Sequence, residues 1–241
     1  GEPGAEAALQ IYTDDDHVTV VSPAAAAHAA LADAIELDVD LAVDVVTAAS
    51  VDVVSQASPY PFEERRVELG AGVRWSRSPR TTLSARIVGS TENDYQSLHL
   101  GVGLRTEVAQ RNATIELGYT AALDEVGRAG DPRFLRSRHA HRLTAGFTQI
   151  VDRRSYADAV LEGELTTGYQ ASPYRYVPIV DEQGTRLYSV EEVVPDRRLA
   201  VALVVRGRRA LTPRWFLHAD YRLCADTWGV RLLELQDQGL R

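Results

Sequence analysis

The sequence predicts an all-β protein, a single antiparallel up-and-down transmembrane β-barrel (meander) of about twelve strands over residues 1–241. Three observations carry that reading. Apolar and polar residues alternate at period two along most of the chain. Short and longer links between the alternating segments succeed one another strictly, as in barrels with tight turns at one rim and larger loops at the other. The segments reach about ten residues or more, where strands of globular proteins average about 5–6.

Composition bounds the alternatives. The chain has 241 residues, of which 45% are hydrophobic and 25% charged, so it is neither collagen-like nor disordered and has room for one large domain or two small ones. Mean hydropathy is -0.20, and no stretch approaches the roughly 20 consecutive apolar residues of a membrane helix. A membrane strand escapes that test, because its outward residues alternate with polar ones and hydropathy cancels over any window. The net charge is -8 and every basic residue is arginine, spread along the chain, which argues against nucleic-acid partners. Cys224 is the lone cysteine, so no disulfide forms. With no methionine in the chain, residue 1 reads as a mature start after a removed export signal or as the edge of a fragment.

In order along the chain, a first strand lies near residues 5–12 and a second at 18–31. The second contains the run PAAAAHAALADA (residues 23–34), whose high helix propensity supports a competing reading as a short helix. We assign a strand, since alanine tolerates a lipid-facing position and the count of turns requires one. The third segment is the cleanest. Ile35, Leu37, Val39, Leu41, Val43, Val45 and onward to Val53 lie on one side, with Glu36, Asp38, Asp40, Asp44 and Asp52 on the other.

The same design returns in each later segment. Val67, Leu69 and Val73 lie opposite Arg66, Gly70 and Arg74; Leu83 and Ile87 opposite Ser84 and Arg86; Leu98, Leu100 and Leu104 opposite His99 and Arg105. Ile115 and Leu117 alternate with Glu116, Leu143 and Phe147 with Arg142, and Leu161 and Leu165 with Asp158, Glu162 and Glu164. Leu199 to Val205 sit between Arg198 and Arg206, Leu217 to Leu223 alternate with Arg214, Asp220 and Arg222, and a final strand starts at Gly229. Short links fall near 32–33, 77–79, 109–111, 151–154 and 208–212; the longer ones fall near 13–16, 55–64, 91–93, 124–136, 171–196 and 226–227. The amino terminus then lies on the periplasmic side.

A soluble or surface-attached β-sandwich binding module, using its long loops for recognition, also alternates and is the competing fold. It requires the Leu and Val faces to share an interior. Long strands, the absence of a helix-sized crossover, and aromatics near strand ends (Tyr12, Trp75, Tyr95, Tyr156, Tyr169, Trp215, Trp228) favour the barrel with interfacial girdles.

The segments VDVVTAASVDVVSQASP (residues 43–59), GYQASPYRYVPI (168–179) and YRLCADTWGVR (221–231) resemble a family of uncharacterised outer-membrane β-barrel proteins of Gram-negative bacteria, grouped as a domain of unknown function. Its members carry Asp-Val-Val-Ser-x-Ala-Ser and Asn-Pro-Tyr-Arg motifs. Asp52 through Ser58 match the first, whereas the second keeps Pro173, Tyr174 and Arg175 behind Ser172 in place of Asn, and Cys224 stands where an aromatic is usual. The resemblance spans about residues 12–231 and implies location in the outer membrane and a barrel, with no activity attached. Family members continue past the Trp-Gly-Val segment to a terminal aromatic, while this chain stops at LLELQDQGLR. It therefore reads either as an incomplete barrel, its carboxy-terminal strands missing, or as a short version closing at twelve.

The expected lumen-lining set is Asp38, Asp40, Asp44, Asp52, Arg66, Arg74, Arg86, Arg105, Glu116, Glu162, Glu164, Arg198, Arg206, Asp220 and Arg222. Such a surface is either a pore selecting solutes by fixed charge or a wall held together by arginine-carboxylate pairs. No cofactor and no metal is expected. Asp14, Asp15 and Asp16 beside His17 lack the spacing of a calcium loop, as do Asp124, Glu125 and Asp131, and His139 with His141 lack further ligands at convincing spacing. No Gly-x-Ser-x-Gly motif is present, and although Ser84, Ser97 and His99 can be imagined as a hydrolase set, the chain is expected not to be an enzyme. Its expected partners are outer-membrane lipid, other outer-membrane or periplasmic proteins, and small solutes if it is a channel.

Overall fold

The computed structural model describes residues 2–13, 18–48, 62–212 and 214–240. Its strands are β1 (Gly4–Thr13), β2 (Val18–Ala32), β3 (Ile35–Ala48), β4 (Phe62–Ser78), β5 (Thr81–Thr91), β6 (Tyr95–Val108), β7 (Ala113–Val126), β8 (Arg136–Asp152), β9 (Ser155–Gly168), β10 (Tyr176–Val180), β11 (Arg186–Glu191), β12 (Arg197–Thr212), β13 (Trp215–Asp226) and β14 (Arg231–Leu240). Twelve of them form one sheet in the order β1-β2-β3-β4-β5-β6-β7-β8-β9-β12-β13-β14, with β10 and β11 a separate hairpin. Every neighbouring pair is antiparallel, so the main sheet is an uninterrupted meander.

Pairing overrides propensity in β2, which is a strand along its whole alanine run. Its alanines are held between two neighbours, Ala25 opposite Ala7 and Leu41, and Ala27 opposite Ala5 and Val39. Proline 23 pairs with Leu9, while the register toward β3 steps from Val21 to Ala24, the side on which a missing N–H is tolerated.

Register extends the two faces across the sheet. One apolar row runs Leu37, Val73, Ala85, Val102, Tyr119, Leu143, Gly163, Val201. The adjacent polar row runs Asp38, Gly72, Arg86, Gly101, Thr120, Arg142, Glu164, Ala200, Asp226. Among the described residues, no layer packs on the apolar face. Leu41, Leu69, Val102, Leu143 and Leu161 are each exposed, and among the described residues only Ala113, Val126 and Phe134 are buried hydrophobics. The sandwich is thereby overturned, since its leucines and valines would have met a second sheet.

Other expectations need adjustment. Strand β12 continues to Thr212, through the residues read as a link, because Arg208, Arg209 and Ala210 still pair with β13. Asp124 and Glu125 belong to β7, and the long 171–196 connection contains the β10-β11 hairpin. The final strand, expected from Gly229, is β14 and begins at Arg231. By register, the girdle aromatics Trp75 and Trp215 share the apolar face near the short turns, whereas Tyr12, Tyr95 and Tyr156 fall on the polar face.

The turn out of β9 depends on a glycine. Gly168 has φ +91, and a Cβ there would lie 2.3 Å from the carbonyl oxygen of Ser137. Gly168→Ala should therefore cost about 1 kcal/mol or more, read as a lower unfolding midpoint of the refolded protein in detergent.

Candidate functional site

The polar face is built from arginines that reach sideways to carboxylates on neighbouring strands. Arg86 of β5 is the clearest case. Its guanidinium crosses β4 to Asp38 on β3, with Nη1 donating to Oδ2 at 2.6 Å, and Nη2 donates to Asp40. Glycines make the crossing possible. A Cβ on Gly70 would collide with both the Arg86 guanidinium and the Asp40 carboxylate, and one on Gly72 would lie 2.6 Å from Asp38 Oδ2. The Gly-Ala-Gly spacing in β4 is thus a groove for one side chain.

The remaining expected lumen residues follow the same logic. Arg74 pairs with Glu36 at 3.3 Å, Arg105 with Glu116 at 2.8 Å, and Arg206 with Asp158 at 3.5 Å. Arg66 holds Glu68 and lies 3.7 Å from Glu92, and it stands opposite Asp44 in the register. Arg142 holds Glu164 and lies 3.7 Å from Glu162. Arg198 donates from Nε to Asp226 at 2.7 Å. Asp220 stands opposite Arg206, and Arg222 opposite Glu234. Asp52 lies outside the described residues, as do Asp14, Asp15, Asp16 and His17. Cys224 is free and half-buried, on the polar face opposite Ala202. Among the described residues, no group of three or more His, Cys, Asp or Glu gathers as metal ligands would. His139 and His141 fall on the apolar face, where His141 stacks on Tyr119 with Nδ1 2.8 Å from its hydroxyl.

At the long-loop end the polar face is roofed. The 127–135 connection and the β10-β11 segment lock together through Arg128, which donates to the Pro173 carbonyl at 2.8 Å and to Glu191 at 2.7 Å. Its guanidinium also stacks on Phe134, 3.9 Å from the ring centroid. The hydrogen bond from Arg128 to Glu191 raises the arginine's pKa. Tyr174 ties in a third segment, because its hydroxyl donates to Asp94 and accepts from the Ala129 amide at 2.7 Å. Phe134 meets Tyr169 edge-on at 5.6 Å, and burial pushes the Tyr169 phenol above its ordinary pKa while the nearby Arg128 charge opposes the shift. Arg128→Ala should release this roof, so limited proteolysis within 181–185 should accelerate several-fold while the sheet stays protected.

Sequence reasoning placed one residue under that roof, Asp124, in a loop and did not single out another, Arg138. Asp124 is only 4% exposed, and Arg138 stands directly opposite it on β8. The signal was present, since Gly118, Thr120 and Ala122 put Asp124 in phase with the polar face. A cavity of about 410 Å³ at this end is lined by Tyr95, Arg138, Tyr169, Tyr174, Arg198 and Trp228 among others. A second of about 240 Å³ shares Tyr95 and Arg138 with it and adds His99, Asp124, Arg142 and Glu164.

Comparison with known proteins bears on the fold. A family model described as "Protein of unknown function (DUF3570)" matches residues 51–142 and 132–235. No curated protein matches the chain. The structure is similar to the siderophore receptor PirA from Pseudomonas aeruginosa, with a TM-score of 0.58 and 11% identity over 98% of this chain and 41% of that one. It is also similar to a mutant of the ferric enterobactin receptor PfeA from the same organism, with a TM-score of 0.60 and 11% identity over 99% of this chain and 41% of that one. The chain thus spans 41% of the length of these receptors, and at such identity the likeness is one of fold: an all-β antiparallel meander resembling outer-membrane β-barrels.

Proposed function

The chain belongs to the DUF3570 family of proteins of unknown function, and from that premise we propose that it is an outer-membrane β-barrel protein whose charged face lines the lumen, acting as a channel or a structural scaffold. The uncovered apolar face carries this reading. A sheet of twelve strands with Leu41, Leu69, Val102, Leu143 and Leu161 exposed is a poor solute in water and a good one in hydrocarbon, where each of these side chains avoids hydration. The lipid of the outer membrane is the partner that such a face needs.

Pairing on the polar face supports the scaffold within this reading. Arg74, Arg86, Arg105, Arg142 and Arg206 each face a carboxylate, which braces a wall and cancels much of the field that a selective pore would present. We hold to a non-enzymatic role. The Ser97 hydroxyl is engaged with Ser90 at 3.2 Å, and His99 stands 3.8 Å from Asp124, too far for the hydrogen bond that orients a catalytic base. Fractionation tests the location: the native protein should sediment with the outer membrane and migrate heat-modifiably on gels, and a detergent-free soluble monomer overturns the proposal. Planar-bilayer recording separates the two modes, with steady current indicating a channel and its absence from inserted protein indicating a scaffold.

A further inference from the structure

We propose that the apolar face carries, at its long-loop rim, a site for the phosphorylated headgroup of an outer-leaflet lipid, formed by His139, Thr167 and Arg197. The site deepens the proposed function and rests on its reading that this face meets lipid. Register sets the three residues side by side. Thr167 of β9 stands directly opposite His139 on β8 and directly opposite Arg197 on β12. Directly opposed side chains on one face have Cβ atoms roughly 4.5–5.5 Å apart, so the threonine hydroxyl lies between an imidazole and a guanidinium. The start of β12 is fixed from behind, because the Trp228 indole donates to the Arg197 carbonyl at 3.1 Å and the Gly168 amide donates to the Asp196 carbonyl at 2.8 Å. Only the arginine side chain is left to adapt to a ligand.

Charge selects the kind of ligand. On the polar face Arg74, Arg86, Arg105, Arg142 and Arg206 each meet a carboxylate. Arg197 is exposed on the other face and forms no ion pair among the described residues. From Arg197 toward β7, the first carboxylate on this face at this rim is Glu125, opposite Ser137 and three strands away. A cation beside hydrocarbon without a counter-charge is costly, and an anionic headgroup relieves that cost. The guanidinium fork matches phosphate oxygens, and the hydroxyl and the imidazole add O–H and N–H donors beside it. Beneath these donors the face turns apolar. Two residues nearer the short turns lie Leu165 and Leu199, with His141 already engaged by Tyr119. In the next row Gly163 stands between Leu143 and Val201, both exposed, and a Cβ on it would meet nothing within 4 Å. Gly163 is therefore a notch between two ridges, where an acyl chain can lie. Donors at the rim with a notch below them match an amphiphile standing beside the wall, whereas a free anion would use the donors alone.

The test uses the full chain. Refolding into phosphatidylcholine vesicles, followed by heat-modifiable migration, first establishes insertion, and failure at that step overturns the lipid-facing reading itself. Folded protein in a zwitterionic detergent is then titrated with lipid A bearing both of its phosphates, and bound copies are counted by native mass spectrometry. Binding should saturate, and its dissociation constant should rise about tenfold or more in Arg197→Gln, the scale of lost hydrogen bonds to a charged group. Lipid A stripped of both phosphates should show a similar loss with the unaltered protein. His139→Gln should weaken binding by a smaller factor and serves as the second variant should Arg197→Gln fail to fold. Arg209→Gln changes an exposed arginine of the same face at the short-turn rim, opposite Leu217, and should leave binding unchanged. The site is overturned by inserted protein that shows no saturable binding, by equal affinity in the folded Arg197 or His139 variant, by equal affinity for the dephosphorylated lipid, or by an equal loss in Arg209→Gln. Inorganic phosphate binding as tightly as the lipid overturns the lipid as its source.

Discussion

Leu161→Arg is expected to destabilise the protein in a lipid bilayer by about 2–4 kcal/mol, the cost of arginine on the lipid face near the midplane of a membrane barrel. Leu161 sits in the middle of β9, between Ala145 on β8 and Leu203 on β12, and is 50% exposed with nothing packed over it. Were this face wetted, the same substitution would fall within about 0.5 kcal/mol, as surface changes usually do. Urea titration of protein folded into vesicles, followed by heat-modifiable migration, measures the difference. The matched control is Glu162→Leu, one residue along and on the opposite face, where no depth-dependent penalty applies. A small effect at Leu161 with a large one at Glu162 would reverse the assignment of faces and with it the proposed function.

Arg86→Met should cost about 2 kcal/mol, and its effect should be relieved by a second change. Losing one partner of a fully buried ion pair costs about 3–5 kcal/mol, and an exposed pair contributes about 0–1. Arg86, Asp38 and Asp40 lie between, with side chains 41%, 32% and 33% exposed. Removing the guanidinium leaves two carboxylates on one strand, two residues apart, without their shared counter-charge. Adding Asp40→Asn should restore much of the loss, and the double-mutant cycle isolates the coupling. In a conducting lumen, the single change should also shift the reversal potential toward cation selectivity, because it uncovers two fixed negative charges.

Much of this architecture could be read from the order of residues. Period-two alternation is a local property, since a strand must send Leu37 and Asp38 to opposite faces whatever its neighbours are. The strands, their antiparallel order and the division into an apolar and a charged face all follow from it and from the alternating link lengths. The expected membership of a family of unknown function agrees with the matched family model. The candidate site was only partly legible. Asp38, Asp40 and Arg86 could be placed on one face, but their meeting depends on Gly70 and Gly72 opening the strand between them. Asp124 was misjudged as a loop residue because the link at 124–136 was begun three residues too early.

Tertiary structure decided what alternation leaves open. Local period cannot say whether an apolar face meets another sheet or lipid, because both environments favour the same side chains; only the absence of any packing layer over the described face excludes the sandwich. Nor can it say that the alanine run of β2 is a strand, which hydrogen bonding to both β1 and β3 imposes against its helix propensity. The roof formed by Arg128, Tyr174 and Asp94 joins segments up to 80 residues apart. Such contacts depend on register and distance in space, which composition and periodicity along the chain do not encode.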